Sequence, residues 1–582
     1  MGAQAQSIDG GSVNLSGNSI TSAATGNAAS SAIASGKNAA AFNATAALAS
    51  QQSNYGSTVQ AITGPSVVGV ISGTENGTNN DSTVTVGGNR TAATAYGSSV
   101  SQSLSLEANA LPLSGGVVVL AGGSTPDGNV LASGAASISN LQGNYAGAVS
   151  AANAGSIVGI AADSRGTGGD TIKASTFTVT GNTQEAVAVS NSAGNALSLT
   201  GTTVGSGAGV ANVQVVDGNS PVQAQLLGST ATAYLGTHTT DSTVSLTNNL
   251  QRAVGYGNSA SNTLNVAANS ANVAAVGVPA STVVPGGGTV VAGYGVLSNQ
   301  TALGDVTASA SGSALPVGAL QVLVEGNVTR GTVTNEGNAF VGAAYGNDVT
   351  NGAKLALGSG VTTAGFSSVA NVTNLQNVAG DISASASGGS VVRTNIEDNL
   401  AASSVSTSNN QIQALANGNR AGGNTLAVTG NTLSNVNTGV PRQGASSNGP
   451  VLMTDAAFSV QNVQTGSGSV TASQLEGAPG ALTAAQVRTA IGGSVTGSTV
   501  VSNGNSSSAV ATSNSATNGL TLAGNAIASS SALQNSQATS ADVNALIGLA
   551  GTPGSPGRRP RRSPSTQQAQ AWPGTSRTAR SP

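Results

Sequence analysis

Apolar and polar side chains alternate with a period of two through a unit that recurs seven times, seen most clearly from Thr176 to Leu199 as TFTVTGNTQEAVAVSNSAGNALSL. Aligned on its first asparagine, the copies are anchored at Asn18, Asn89, Asn182, Asn249, Asn338, Asn410 and Asn505. An apolar pair precedes the anchor, as in Val84 and Val86, Phe177 and Val179, or Val244 and Leu246. Four and six residues after it the pattern turns small, with Ala93 and Ala95, Ala186 and Ala188, Ala253 and Gly255, Gly342 and Ala344, Ala414 and Ala416, and Ala509 and Ala511. A Gly-Asn or Ser-Asn step follows, as at Ser190-Asn191 and Gly257-Asn258, and an apolar pair such as Leu197 and Leu199 closes the unit.

Such alternation places each pair on one face of a strand, and Asn and Gly accept the left-handed backbone angles of sharp corners. Each unit therefore reads as one coil of three short strands, in which the small face makes room for the Leu face within a narrow core. One coil cannot bury its own faces or satisfy its outer backbone groups. Coils must stack, and identical turn residues then fall above one another as Asn ladders. The predicted class is all-β: a repeat-built, β-helix-like parallel β-solenoid with Asn and Gly turns over residues 8–545. A remnant over 1–7 precedes it and a disordered Arg/Pro-rich tail over 546–582 follows. One short helix is predicted over Leu482 to Ile491, where LTAAQVRTAI is rich in alanine.

Units of a second type lie between the main ones: SISNLQGNYAGAVSA from Ser137, VLSNQTALGDVTASA from Val296, NVTNLQNVAGDISASA from Asn371, SVQNVQTGSGSVTAS from Ser459 and a fainter QQSNYGSTVQA from Gln51. A variant within the same class has some of these folding back as hairpins. Successive anchors are 71, 93, 67, 89, 72 and 95 residues apart, alternately short and long, which gives a super-period near 160 residues made of two main units. Duplication of this kind lengthens a rod without redesigning it.

Composition agrees with thin stacked sheets: 6% of the 582 residues are charged, 2% are aromatic and 81 are glycine. A typical domain carries about 25% charged residues, and large aromatic cores are excluded here. Cysteine is absent, which removes thiol chemistry and Cys-ligated metal and leaves the compartment open. No apolar run approaches the roughly 18 residues of a membrane helix. The start, MGAQAQSIDGG, lacks a basic and apolar leader, yet Ala3-Gln4-Ala5 has the small-x-small form found before a signal-peptidase cut. A lost export signal and an ordinary polar start are the two readings. From Gly551 the chain carries six of its 17 basic residues and its only Trp, Trp572; without them the formal charge falls from −3 to −9. That tail reads as an electrostatic tether to acidic polysaccharide or nucleic acid, as a disordered end, or as a frame-shifted replacement of another C-terminus.

Candidate chemistry is sparse. Tyr96, Tyr256 and Tyr345 stand seven residues after their anchors, with Thr25, Val189, Asn417 and Thr512 in other copies. Since this position alternates with the small inward face, the tyrosines are expected to point outward as a stripe that contacts sugars or surfaces. The anchor asparagines are expected to be structural turn residues. His238 is the only histidine and Asp241 nearby is expected to cap a turn. Acidic residues such as Asp163, Asp170, Asp305, Asp348, Asp381 and Glu397 do not recur at the repeat spacing, unlike those of calcium-binding solenoids. No catalytic, cofactor-binding or metal-ligating set emerges, so the chain is expected not to be an enzyme. The enzymatic rival is a polysaccharide-cleaving β-helix, which needs a carboxylate pair across a sugar site.

With TVSLTNNLQRAVGYGNSASNTLNV and VLSNQTALGDVTASA in view, the chain resembles the holdfast anchor (holdfast attachment) proteins among the surface repeat proteins of stalked alphaproteobacteria. The repeats that carry the resemblance cover most of Ser12 to Asn535. It implies an exported protein at the outer cell surface that helps hold an adhesive polysaccharide to the cell, with no catalytic residues. A second resemblance is to curli-type subunits, self-assembling fibres with Asn and Gln ladders. The expected partners are thus a polysaccharide adhesin or other surface-anchor proteins and further copies of the chain. No nucleic acid is expected at the repeats, and no membrane-spanning segment.

Overall fold

The computed structural model describes residues 1–36, 39–73, 78–111, 118–121, 131–133, 135–163, 171–205, 207–271, 281–284, 287–312, 319–359, 361–362, 369–388, 391–435, 442–446, 449–454, 456–476 and 483–547. These residues are all-β, without a helix, and the strands assemble into long parallel sheets of seven.

Circuit 3 shows the path. It runs through Ile157–Ala162 in sheet A, Thr171–Lys173 in sheet B, Thr176–Thr180 in sheet C, Thr183–Val204 in sheet D, Ala208–Val216 in sheet E and Val222–Leu227 in sheet F. The chain then re-enters sheet A at Thr230–Leu235, paired in parallel with Ile157–Ala162. The order repeats seven times, from Gly2–Ala5 in circuit 1 to Val543–Leu546 in circuit 7. Gly2–Ala5 pairs with Val67–Ser72, so the stack begins within the stretch expected to be a remnant.

One circuit is therefore larger than the repeat unit. The first apolar pair of the unit lies in sheet C. The small pair and the closing Leu pair, expected on separate strands, share the single long strand of sheet D. The second-type units supply sheets E and F: Ala136–Tyr145 and Val149–Ala154 hold the copy from Ser137. They run parallel to their neighbours and do not fold back.

Two buried cores follow. Sheets A, B, C and F and the first half of sheet D enclose columns such as Val84, Phe177, Val244, Val333 and Val405, with Ala186 and Ala188 as the small face. The second half of sheet D packs Leu104, Leu197, Leu264 and Leu426 against Ile138, Val210, Val296 and Val460 of sheet E. Corners fall in columns too. Gly10, Asp81, Ala174, Asp241, Arg330, Ala402 and Gly497 all have positive φ between sheets B and C, and Gly17, Gly88, Gly181, Asn248, Gly337, Asn409 and Gly504 do so before the anchors.

Hairpins do form, but from stretches that precede three of the second-type units. Val118–Ala121 pairs with Leu131–Ser133 in circuit 2, Ser281–Val284 with Gly287–Ala292 in circuit 4, and Arg442–Ser446 with Gly449–Thr454 in circuit 6. They join edge to edge into a six-stranded antiparallel sheet. This sheet lies on the outside of sheet E. Sheet E strands of circuits 2 to 6 are accordingly buried on both faces, whereas Ala46–Tyr55 of circuit 1 alternates between buried and exposed.

The expected helix over Leu482 to Ile491 is not formed. Thr483–Ala484 and Val487–Ile491 are strands, the latter filling the seventh place in sheet A, where parallel pairing to Val392–Ile396 overrides alanine's helix propensity. Leu482 and the tail over 548–582, with its arginines and Trp572, lie outside the described residues. Among the described residues no helix is long and apolar enough to cross a membrane, which leaves β-barrels unaddressed.

Candidate functional site

Three kinds of feature gather on sheet D: the anchor asparagines, the tyrosines and most of the paired charges. The anchors form one unbroken ladder. Nδ2 of Asn18 donates to Oδ1 of Asn89 at 2.9 Å, Asn89 to Asn182 at 2.9 Å, Asn182 to Asn249 at 2.9 Å, Asn249 to Asn338 at 2.9 Å, Asn338 to Asn410 at 3.1 Å and Asn410 to Asn505 at 3.0 Å. The backbone N–H of each donates to the same oxygen, and Nδ2 also reaches a carbonyl, as from Asn182 to Val86 at 3.0 Å. From Asn89 to Asn410 these groups are buried and their hydrogen bonds are internal, so they hold circuits together and are not open to a ligand; Asn18 and Asn505, at the two ends, are half-buried.

The long strand bends where the Gly-Asn or Ser-Asn step occurs. A Cβ at Gly97 would lie 2.6 Å from the carbonyl oxygen of Ser190, and one at Gly257 2.5 Å from that of Gly346, so glycine permits the close approach of neighbouring backbones. The register passes from Val189↔Tyr256 to Asn191↔Asn258 across the step. Inward residues accordingly change from Gln184, Ala186 and Ala188 to Asn191, Ala193 and Asn195. Viewed from outside, the bend is concave, because side chains on either side of it meet. The guanidinium of Arg420, after the bend, lies 5.5 Å from the ring centroid of Tyr345, before it. Val254, Ala343 and Tyr345, which face away from both cores, form a buried cluster of their own with Tyr256, Val341 and Leu415 around it.

The tyrosines occupy this concavity, though not as the continuous exposed stripe expected. Tyr256 and Tyr345 stack with centroids 4.7 Å apart and planes 8° from parallel. The ring faces therefore point along the stacking axis. Tyr345 has one face on Tyr256 and the other under Arg420, and it is only 7% exposed, so ring edges and hydroxyls are what the concavity presents. Burial, helped by Tyr345 and Asp348, pushes the Tyr256 phenol up to about 12. Tyr96 is separated from the pair by Val189 of circuit 3.

Charges that the repeat pattern did not single out complete the site. Glu185, 3% exposed, accepts from Nε of Arg90 at 2.8 Å on Oε1 and from Nε of Arg252 at 2.8 Å on Oε2, and the Nη2 of each arginine also reaches it. Burial opposes ionisation of this carboxyl, but the hydrogen bonds and charges of Arg252 and Arg90 outweigh it and hold the group below the usual carboxylate range. Asp348 pairs with Arg420 at 3.6 Å, yet burial raises its carboxyl above the ordinary value, with Arg420 only partly offsetting this. Arg420 and Asp348 stand at the bend, while Arg90, Glu185 and Arg252 stand nearer the start of the long strand, so these three guanidinium groups and two carboxylates give the outer face of sheet D a positive excess on a chain that is otherwise acidic. The signal available in the sequence was column sharing. Glu185 and Arg252 stand at the same position of successive units, as do Asp348 and Arg420.

His238 and Asp241 lie elsewhere, His238 at the start of a sheet B strand and Asp241 on the corner between sheets B and C. Nδ1 of His238 accepts the N–H of Asn327 at 2.8 Å, and Asp241, expected to cap a turn, receives Nε and Nη2 of Arg330 at 2.8 and 2.7 Å. Among the described residues no group of three His, Cys, Asp or Glu is placed to hold a metal. Comparison with known proteins gives no further guide: no family model, curated protein or solved structure matches the chain.

Proposed function

We propose that the protein is a parallel β-solenoid serving at the bacterial cell surface as a structural spacer, holding an adhesive polysaccharide through many weak repeated contacts. The observation that carries this reading is the repetition of one outward pattern. On the solvent face of sheet C, Thr83 and Thr85, Thr176 and Thr178, Thr243 and Ser245, Thr332 and Thr334, and Ser404 and Ser406 stand in register in successive circuits. Adjacent parallel strands are about 4.8 Å apart, so a hydroxyl lattice runs along the rod. A chain of sugars laid on such a lattice meets the same donors and acceptors again and again, and linked weak contacts add up to firm attachment. The positive excess on the outer face of sheet D supplies a complementary strip for acidic sugars.

The reading assigns the chain no catalysis. Incubated with acidic polysaccharides, it should bind them and release no new reducing or unsaturated ends; turnover would overturn the non-enzymatic part. In cells, deletion of the gene should leave adhesive that is made but shed. Unchanged attachment strength in the deletion strain would remove the anchoring role.

A further inference from the structure

Circuits 1 and 7 leave one edge of each of the six sheets without a neighbour among the described residues, and these two ends match. Inward columns that end in circuit 7 at Val495, Val500, Leu533 and Val543 are cut off there, leaving those side chains 48%, 42%, 49% and 44% exposed. The same columns begin in circuit 1 at Ile8, Val13, Leu48 and Val59. Edges as long as these are normally guarded by charge. Here the strands of circuit 1 carry Asp9 alone and those of circuit 7 carry Arg488 alone.

The polar ladders have direction, and their ends are complementary as well. Each anchor asparagine donates to the next circuit, so Asn18 opens its ladder with an Oδ1 that no described donor reaches, and Asn505 closes it with no further circuit to donate to. A glutamine ladder runs the opposite way, with Nε2 of Gln537 donating to Gln464 at 2.6 Å, Gln464 to Gln376 at 2.7 Å and so on down to Gln52. It ends in circuit 7 with the Oε1 of Gln537 lacking a donor, while circuit 1 offers the Nε2 of Gln52. One ladder needs a donor where the other needs an acceptor, and a translated copy of circuit 1 supplies both.

We propose that a second copy of this chain docks its circuit 1 on circuit 7, so that copies add head to tail along one axis. The junction repeats the internal register. Ser19 of the incoming copy donates its N–H to the Asn505 carbonyl, as Arg90 does to Asn18 and Thr183 to Asn89 within the chain. Val500 covers Val13, Leu533 covers Leu48 and Asn505 donates to Asn18. The proposal stands apart from the anchoring reading, since a spacer can be one chain long or many.

The test uses the outward column Ala28, Ser99, Ser192, Ser259, Asp348, Arg420 and Ser515, in which Asp348 and Arg420 already pair between adjacent circuits. Ser515→Asp with Ala28→Asp places like charges across the junction only; Ser515→Asp with Ala28→Arg recreates the internal pair there. Both sites are on the outer face and leave the cores untouched. Sedimentation of the full chain should show concentration-dependent rods that lengthen in whole-chain increments by electron microscopy. The Asp/Asp variant should need about tenfold more protein to associate, and the Asp/Arg variant should return to the parent's behaviour. A parent that stays monomeric across a wide concentration range, or variants that associate as the parent does, would overturn the proposal; circular dichroism of each variant confirms that its strands are intact.

Discussion

At the scale of single residues, what holds the circuits together is side-chain amides in register, and their exceptions are informative. The column Asn27, Ser98, Asn191, Asn258, Asn347, Asn419 and Asn514 breaks at circuit 2, where the shorter Ser98 makes no bond to the Oδ1 of Asn191, and that buried oxygen has no partner among the described residues. In the column of Asn195 and Asn262, Gln102 likewise leaves both of its own amide atoms and the Oδ1 of Asn195 without partners among the described residues. Ser98→Asn and Gln102→Asn should each extend a ladder by one rung and raise stability by about 1 kcal/mol, read as a rise in denaturant midpoint with unchanged slope. Tyr294 is fully buried, its hydroxyl has no partner among the described residues and burial drives its phenol far up, so Tyr294→Phe should be neutral or stabilising. The buried Glu185 and the half-buried Asp348 pull stability in opposite directions with pH. Glu185 has a lowered folded pKa, so its stabilisation is present above the ordinary value of 4.5 and lost as pH falls through the folded value. Asp348 has a raised one, so stability falls as pH rises above the ordinary 3.8 until the folded group has ionised. Denaturation titrations should therefore lose an acid-side decline in Glu185→Gln and an opposite, higher-pH decline in Asp348→Asn.

At the scale of elements, alternation and turn chemistry made strands, parallel stacking and the anchor ladder legible, because each depends on a local pattern that the chain repeats. The circuit itself was less so. Nothing in the unit from Thr176 to Leu199 marks its last two pieces as one strand, since a bend and a corner both use Gly-Asn or Ser-Asn; the difference lies in what the following residues pair with. Val487–Ile491 was misread for a similar reason, its sequence being alanine-rich locally and a strand only because six others await it in sheet A. Of the candidate site, the tyrosine column was legible but its exposure was not. The concavity that buries Tyr345 and half-buries Tyr256 arises from the bend, and the ionic groups on the same face appear once in the repeat and become neighbours only through register.

At the scale of the whole molecule, the alternation of short and long circuits has a geometric cause. Circuits advance by one strand spacing, about 4.8 Å, whereas a hairpin lying on sheet E occupies two. Hairpins from every circuit would collide; hairpins from circuits 2, 4 and 6 tile the outer layer edge to edge. The rod thus has a quantum of length, and it is two circuits. Removing Thr230 to Val391, which spans circuits 4 and 5, should join Asn182 to Asn410, bring the remaining hairpins together as a four-stranded layer and leave a cooperatively folding rod. Removing circuit 5 alone deletes no hairpin, yet it sets those of circuits 4 and 6 one spacing apart, and thermal unfolding should show the heavier loss from the smaller excision. Within one chain, circuits can be gained or lost only in even numbers, which makes parity, a property that no single residue carries, a heritable feature of the chain.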